Sequence, residues 1–430
     1  MSKKTVIIGS IYVIILVIIE LFVGKYHTNE PVDVQYNDET VNLRFVCATG
    51  DLAGVAVIEN VISRFEDENP QINVELVFNE SDLLYEEYIM KLSATGKLGD
   101  IVEIRQTQFF DSGYIATLPE SLSSKTQNKY EIAGKAYGIN YYITTSGIIY
   151  NKQIFRMLGI SEPTNYKEFI EICDELAIMG YTPIAVGGGD IWHMKFWLNH
   201  FYLNDVLLSN PNWEEELKNG KVSWLNEEAR TMFTHLYELF NSGYIDEDWR
   251  IDKDSIMASK IASEKAVMLY SGTWMVNQIK DQNPNIELGW FFVPNDEGDT
   301  LVRDISDGYF AITNECATNS KKYDAAVKFL EFFFSEPIYP EICNKMGAIS
   351  SIKNITSDSD EEHIKLLESK FYEEEKHTRF FLGDENYPNS FQKNVLSAVI
   401  SLINNEITID EALKICDEAY ISASVKEGIE

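Results

Sequence analysis

The residues that could do chemistry in this chain are few once its acidic bulk is set aside. The chain carries 68 acidic residues against 36 lysines and arginines, a formal net charge of −32. A carboxylate pair spaced for glycoside hydrolysis would therefore arise anywhere by chance, and it marks no site. His193 and His200 lie seven residues apart on one face of an expected helix, but no acidic residue is spaced to complete a metal centre with them. Gly187-Gly188-Gly189 is followed by no Gly-Lys-Ser/Thr and has no dinucleotide spacing. Those glycines are expected to make a tight turn that presents Trp192. No Gly-x-Ser-x-Gly elbow occurs. These patterns point to no enzyme, no metal and no cofactor. The charge also rules out nucleic acid as a partner, because nothing here could replace counterions along a phosphate backbone.

Five cysteines, Cys47, Cys173, Cys316, Cys343 and Cys416, are scattered without a Cys-x-x-Cys pair. Cys47, Cys173 and Cys416 fall in apolar stretches and read as small buried hydrophobes. A disulfide between Cys316 and Cys343 stays open.

The elements that must position any site begin with the N-terminus. Lys3-Lys4 precede an apolar run from Val6 to Val23, broken by Gly9, Ser10 and Glu20. That run is near the minimum that spans a bilayer, and the leading lysines place its start on the cytoplasmic side. A cleaved signal peptide is the competing reading; against it, no small-x-small pair precedes Lys25. Residues 1–24 are therefore expected to anchor the chain in the cell membrane, residues 25–40 to form a polar tether, and the rest to lie on the extracellular side.

At 430 residues the chain exceeds one ordinary core. Val41 to Val46 alternates as a strand; Val55, Ile58, Ile62 and Phe65 have helical spacing; Ile72, Val74, Leu76 and Phe78 alternate again. This is a βαβ unit with a parallel sheet. A helix through Leu84, Tyr88 and Leu92 and a buried strand, Asp100 to Ile104, repeat the plan. Ligands of such sheets meet the loops at the carboxyl ends of strands. That rule singles out Thr49-Gly50-Asp51 and Arg105-Gln106-Thr107-Gln108. From Gly134 to Lys152 two short β-prone runs follow one another without a helix, as in a strand that leaves one sheet and enters another. Further on, Asn165 with Glu168 and Thr408 with Glu411 are spaced as capping boxes, and Ser271-Gly272-Thr273-Trp274 reads as a turn into a helix.

Five stretches in order carry a resemblance: Phe65-Glu66-Asp67-Glu68-Asn69-Pro70; Gly134 to Lys152; Thr182-Pro183-Ile184-Ala185 with the glycine run and Trp192; Ser271 to Trp274; and Gly308-Tyr309-Phe310-Ala311-Ile312. Over about residues 41 to 425 the chain resembles the extracellular solute-binding proteins of carbohydrate ABC transporters, the group that includes maltose-binding protein. The resemblance implies a two-lobed α/β fold of the periplasmic-binding-protein type II. Each lobe would be a mixed sheet flanked by helices. The chain would cross three times, near Ile143 to Ser146, Phe292 to Asn295 and Gly347 to Ser351. The lobes would be 41–143 with 294–348, and 144–293 with 349–430. The implied function is capture of a sugar by hinge closure and delivery to an ABC permease, by a monomer.

Sugars present flat C–H faces ringed by hydroxyls, so such a site needs aromatic platforms beside fixed donors and acceptors. Trp274 and Trp192 on their loops are the expected platforms, with Tyr142 and Tyr309 beside the crossings. Thr49, Asp51 and Asp307 would supply polar contacts, and Arg105, Gln106 and Gln108 are carried over as the loop after their strand. Many members carry a lipid-modified cysteine just after the apolar run; here the first cysteine is Cys47. A membrane-tethered ligand-sensing subunit would share every feature of the binding lobes, and it is the alternative expectation.

Overall fold

The computed structural model describes residues 40–48, 52–79, 85–126, 128–305, 308–355, 364–366, 369, 377–378 and 391–427. The expected anchor and nearly all of the tether lie outside the described residues. Among those described, no helix is long and apolar enough to cross a membrane.

Alternation makes Val41–Cys47 a strand, β1, with Leu43, Phe45 and Cys47 buried on one face. Helix α1 (Leu52–Glu68) lays Val57, Val61 and Phe65 on that face. Strand β2 (Ile72–Phe78) returns parallel to β1, helix α2 (Tyr85–Ala94) follows, and β3 (Ile101–Ile104) pairs parallel with β1. Strands β4 (Lys129–Ile132) and β5 (Lys135–Asn140) form a hairpin whose turn, Ala133 and Gly134, takes positive φ at both residues, 49° and 76°. The chain then enters β6 (Thr144–Asn151). Around it lie α3 (Lys152–Leu158), α4 (Tyr166–Ile178), β7 (Thr182–Ala185), α5 (Ile191–Phe201), a π-helical segment (Tyr202–Leu207), α6 (Glu227–Asn241) and α7 (Asp254–Ala262). Next come β8 (Ala266–Gly272), α8 (Trp274–Gln282), β9 (Leu288–Phe291) and β10 (Val302–Ile305). Then follow β11 (Tyr309–Ile312), α9 (Ser320–Phe333), α10 (Tyr339–Met346), β12 (His377–Thr378), α11 (Phe391–Ile403) and α12 (Ile409–Glu427).

Two sheets result, one ordered β2-β1-β3-β11-β5-β4 and the other β12-β10-β6-β8-β7, with β9 also paired to β6. Both are mixed. Each has its own apolar core: Phe45, Phe65, Phe310 and Phe329 pack over the first sheet, and Trp197, Phe201, Trp224 and Phe233 fill the second lobe. The chain is a two-lobed α/β protein.

Strand pairing bears on each of the three expected passages between lobes. The first is Tyr141 to Ile143, between β5 and β6. The second falls after β10, which pairs antiparallel with β6, and before β11, which pairs with β5 and β3. Residues 294–305 thus run with the second sheet, whereas the sequence placed the division at 294. The third, expected near Gly347 to Ser351, is not complete there: Ile349 bridges Ile143, Ile352 bridges Thr126, and Ile352 sits in the first lobe's core. The first crossing, expected near Ile143 to Ser146, gives way to strand from Thr144 onward. Thr144 to Gly147 are buried within β6 and paired to β10 and β8. A proline at Ser146 would break a central ladder.

The Thr408 capping box forms, and Asn165 caps its helix with Glu168 reaching one residue further back. Asn165 Oδ1 accepts from Glu168 N at 3.0 Å, while the Glu168 carboxylate reaches back to Thr164 N at 2.7 Å. Thr408 and Glu411 bond reciprocally, at 2.8 and 3.3 Å. All five cysteines are free and buried, so Cys316 and Cys343 form no bridge.

Candidate functional site

Strands β1, β3 and β5 run in one direction, because β11 is antiparallel to both β3 and β5. Their carboxyl ends, Ala48, Arg105 and Tyr141, therefore share one edge of the first sheet. In the second sheet β6 runs against β8, β9 and β10, and β7 runs with β8. The start of β6 and the ends of β7, β8, β9 and β10 share the opposite edge. The crossings join these two edges, so the cleft lies between them.

Trp274 opens α8 two residues beyond the end of β8 and is half-buried. Its ring covers Gly272, where any Cβ would run into the indole. Phe196 on α5 stands 6.0 Å from it, ring centre to ring centre. Tyr142, half-buried, sets its ring edge-on to Tyr141 at 4.2 Å. The Arg105 side chain is 38% exposed at the end of β3 and donates from Nε to Glu103 at 2.6 Å. Gln106 is exposed and precedes a 3-10 turn, Thr107–Ser112, whose backbone carries Gln108. The backbone of Trp192 lies in the first turn of α5, after β7. These positions fall on the two facing edges.

Tyr309 does not join them. It is 7% exposed and packs with Phe110 and Tyr130, at 5.9 and 6.2 Å between ring centres, in the core behind the first sheet. As the first residue of β11, its side chain takes the face opposite Phe310. Thr49, Asp51 and Asp307 lie outside the described residues; their neighbours Ala48 and Gly308 are on the first sheet's edge.

The glycine run serves close packing. Gly188 N donates to Trp249 O at 2.7 Å and Gly189 N to Asp252 O at 2.8 Å. A Cβ on Gly189 would lie 2.7 Å from the carbonyls of Ile251 and Asp252. The glycines thus let the 249–252 segment press against the loop that leads to Trp192. The two histidines take separate partners. His193 Nε2 meets Asp254 at 2.6 Å, whereas His200 Nδ1 faces Asn204 at 3.3 Å, and burial pushes the His200 imidazole down to about 3. Among the described residues no cluster could hold a metal ion.

Sequence reasoning missed Glu103. It is 2% exposed within β3, where Ile101, Val102 and Ile104 are all fully buried. Its carboxylate accepts from Ala48 N at 3.0 Å, Arg105 Nε at 2.6 Å and the Tyr141 hydroxyl at 3.0 Å. Burial first, then the Glu103 charge, pushes the Tyr141 phenol well above its ordinary range. The signal was an acid inside an apolar run of a central strand, a position that demands several partners.

The family model described as bacterial extracellular solute-binding protein matches residues 49–339. The chain belongs to this family. It is a binding protein and not an enzyme. The multiple sugar-binding protein of Streptococcus mutans is 22% identical over 317 residues, covering 70% of this chain and 74% of that protein. The melibiose/raffinose/stachyose-binding protein MelE of Bacillus subtilis is 24% identical over 246 residues, 52% of this chain and 54% of that one. Among solved structures, RafE in complex with raffinose superposes with a TM-score of 0.75 at 18% identity, over 89% of this chain and 100% of that chain. A sugar transporter from Bacillus licheniformis in complex with stachyose superposes at 0.73 and 17%, again over 89% and 100%. The likeness confirms the two-lobed architecture.

Proposed function

We propose that this solute-binding protein captures an oligosaccharide between the facing sheet edges and hands it to an ABC transporter permease. The observation that carries the reading is Trp274. Its half-buried indole covers Gly272 at the edge of the second sheet, where an exposed ring face could stack on a sugar. Tyr142 and Arg105 stand on the opposing edge as donors and acceptors, with Gln106, Gln108 and Trp192 carried on adjacent loops. Thr49, Asp51 and Asp307 complete the proposed polar contacts. Relatives whose names or complexes specify raffinose, stachyose or multiple sugars support the ligand class.

In this reading the chain acts as a monomer, extracellular and held to the membrane by the apolar segment from Val6 to Val23. Cys47, fully buried in β1, is not placed to carry a lipid. Uptake of labelled raffinose in a strain lacking the chain tests delivery. Loss of uptake, restored by the full chain, is the expected result. Unchanged uptake with a lost transcriptional response to the sugar would instead mark a tethered sensing subunit.

A further inference from the structure

We propose that Asp254 is a positioning residue of this site: through His193 it sets Phe196 against Trp274. The effect on a ligand rests on the sugar-binding reading; the placement of Trp274 does not.

Helices α5 and α7 begin beside one another, and each start supplies an acid to the other. Asp190, the residue before α5, makes no side-chain bond to its own helix. A capping aspartate ordinarily accepts from its own first turn; here Oδ2 accepts from the Asp254 amide of α7 at 2.8 Å. Asp254, the first residue of α7, meets His193 Nε2 of α5 at 2.6 Å from its Oδ1. A carboxylate only accepts, so the proton of this bond sits on Nε2. The bonds from Gly188 to Trp249 and from Gly189 to Asp252 join the segments that precede the two helices. The start of α5 is therefore fixed to the start of α7.

From His193 onward the contact runs through rings. His193 is 1% exposed, and its imidazole meets Phe196 at 5.8 Å and 61°. Residues three apart share one helix face, so the imidazole limits where Phe196 can lie. Phe196 in turn stands 6.0 Å from Trp274, tilted by 49°. The indole is thus set by Gly272 beneath it and by Phe196 beside it. Asp254 acts on the ligand only through these rings.

The test uses the full chain labelled with 5-fluorotryptophan. The chain has seven tryptophans, and the Trp274 resonance is identified by its loss in Trp274→Phe. Without ligand, Asp254→Ala is expected to shift or broaden that resonance. Raffinose or stachyose affinity by calorimetry is expected to fall about tenfold, the usual scale for a lost bond to a charged group. Asp254→Asn keeps an acceptor oxygen for His193, so it should restore the resonance and hold affinity within about threefold of wild type. His193→Phe keeps a ring against Phe196 but loses the bond; it should reproduce the shift and decides the matter if Asp254→Ala does not fold. In a Phe196→Leu background the Asp254→Ala affinity loss should shrink below about threefold, because the two act as one unit. A Trp274 resonance unmoved by these changes, equal effects of Asp254→Ala and Asp254→Asn, or an affinity loss independent of Phe196 overturns the proposal. If the wild-type chain binds neither raffinose nor stachyose, the sugar reading falls, and the resonance still decides whether Asp254 places Trp274.

Discussion

Trp274 owes its position to Gly272. A side chain two residues before the indole would occupy the space of its six-membered ring, so only glycine leaves room for the ring on the β8 turn. Gly272→Ala should therefore displace the ring and weaken sugar binding by about tenfold (about 1.4 kcal/mol), measured by calorimetry. The same change should cost little secondary structure by circular dichroism. The placement of Trp274, Tyr142 and Arg105 just past strand ends was legible in the sequence, because a strand end followed by a polar turn announces itself. Tyr309 was misread, since a strand's first residue can face either way and only the packing of Phe110 and Tyr130 decides. Glu103 was not legible as a hub. Its partners Ala48, Arg105 and Tyr141 are brought together by strand order, which one sequence does not print.

At the scale of elements, the π-helical segment holds the turn that leads into β10. Asn204 Oδ1 accepts from Leu301 N at 2.9 Å, just before β10. Asp205 Oδ2 meets His235 Nδ1 of α6 at 3.0 Å, and Asp296 of the following turn lies 3.9 Å from its Nε2. Tyr166 stacks on the imidazole at 4.4 Å. Burial by itself would lower the His235 pKa. The bond to Asp205 and the charges of Asp205, Asp296 and Glu238 outweigh it, so the net shift is upward. Burial raises the Asp205 carboxyl as well, a shift that acts in the acid range. A raised histidine favours the protonated native state, so its contribution is full below about pH 6.5 and fades as pH rises through the folded value. The melting temperature should therefore drop by about 2 °C between pH 6.5 and 8.5. His235→Gln should abolish that slope, and a wild-type melting curve flat over this range would contradict the assignment. Most elements were legible from periodicity and caps. The π-helical turn was not, because a helix of this composition carries no mark of its register.

For the whole molecule, the boundaries between lobes were the least legible feature. Strand β10 looks like a continuation toward β11, yet it pairs with β6, and no local pattern distinguishes these fates. The lobes also touch across the cleft mouth, where Lys393 of α11 lies 3.8 Å from Glu87 of α2. Both ends are exposed, so the pair contributes modestly and is weakened by salt. Lys393→Glu should expand the ligand-free molecule in solution scattering at low salt, and added salt should reverse the change. The proposed function requires a sugar to close these lobes on Trp274. Calorimetry of raffinose and stachyose with the wild-type protein and with Trp274→Ala measures this. The wild type should bind one of them with at least micromolar affinity, and the variant should lose tenfold or more, about 1.4 kcal/mol. Millimolar or weaker binding by the wild type, or equal affinity in both proteins, would contradict it.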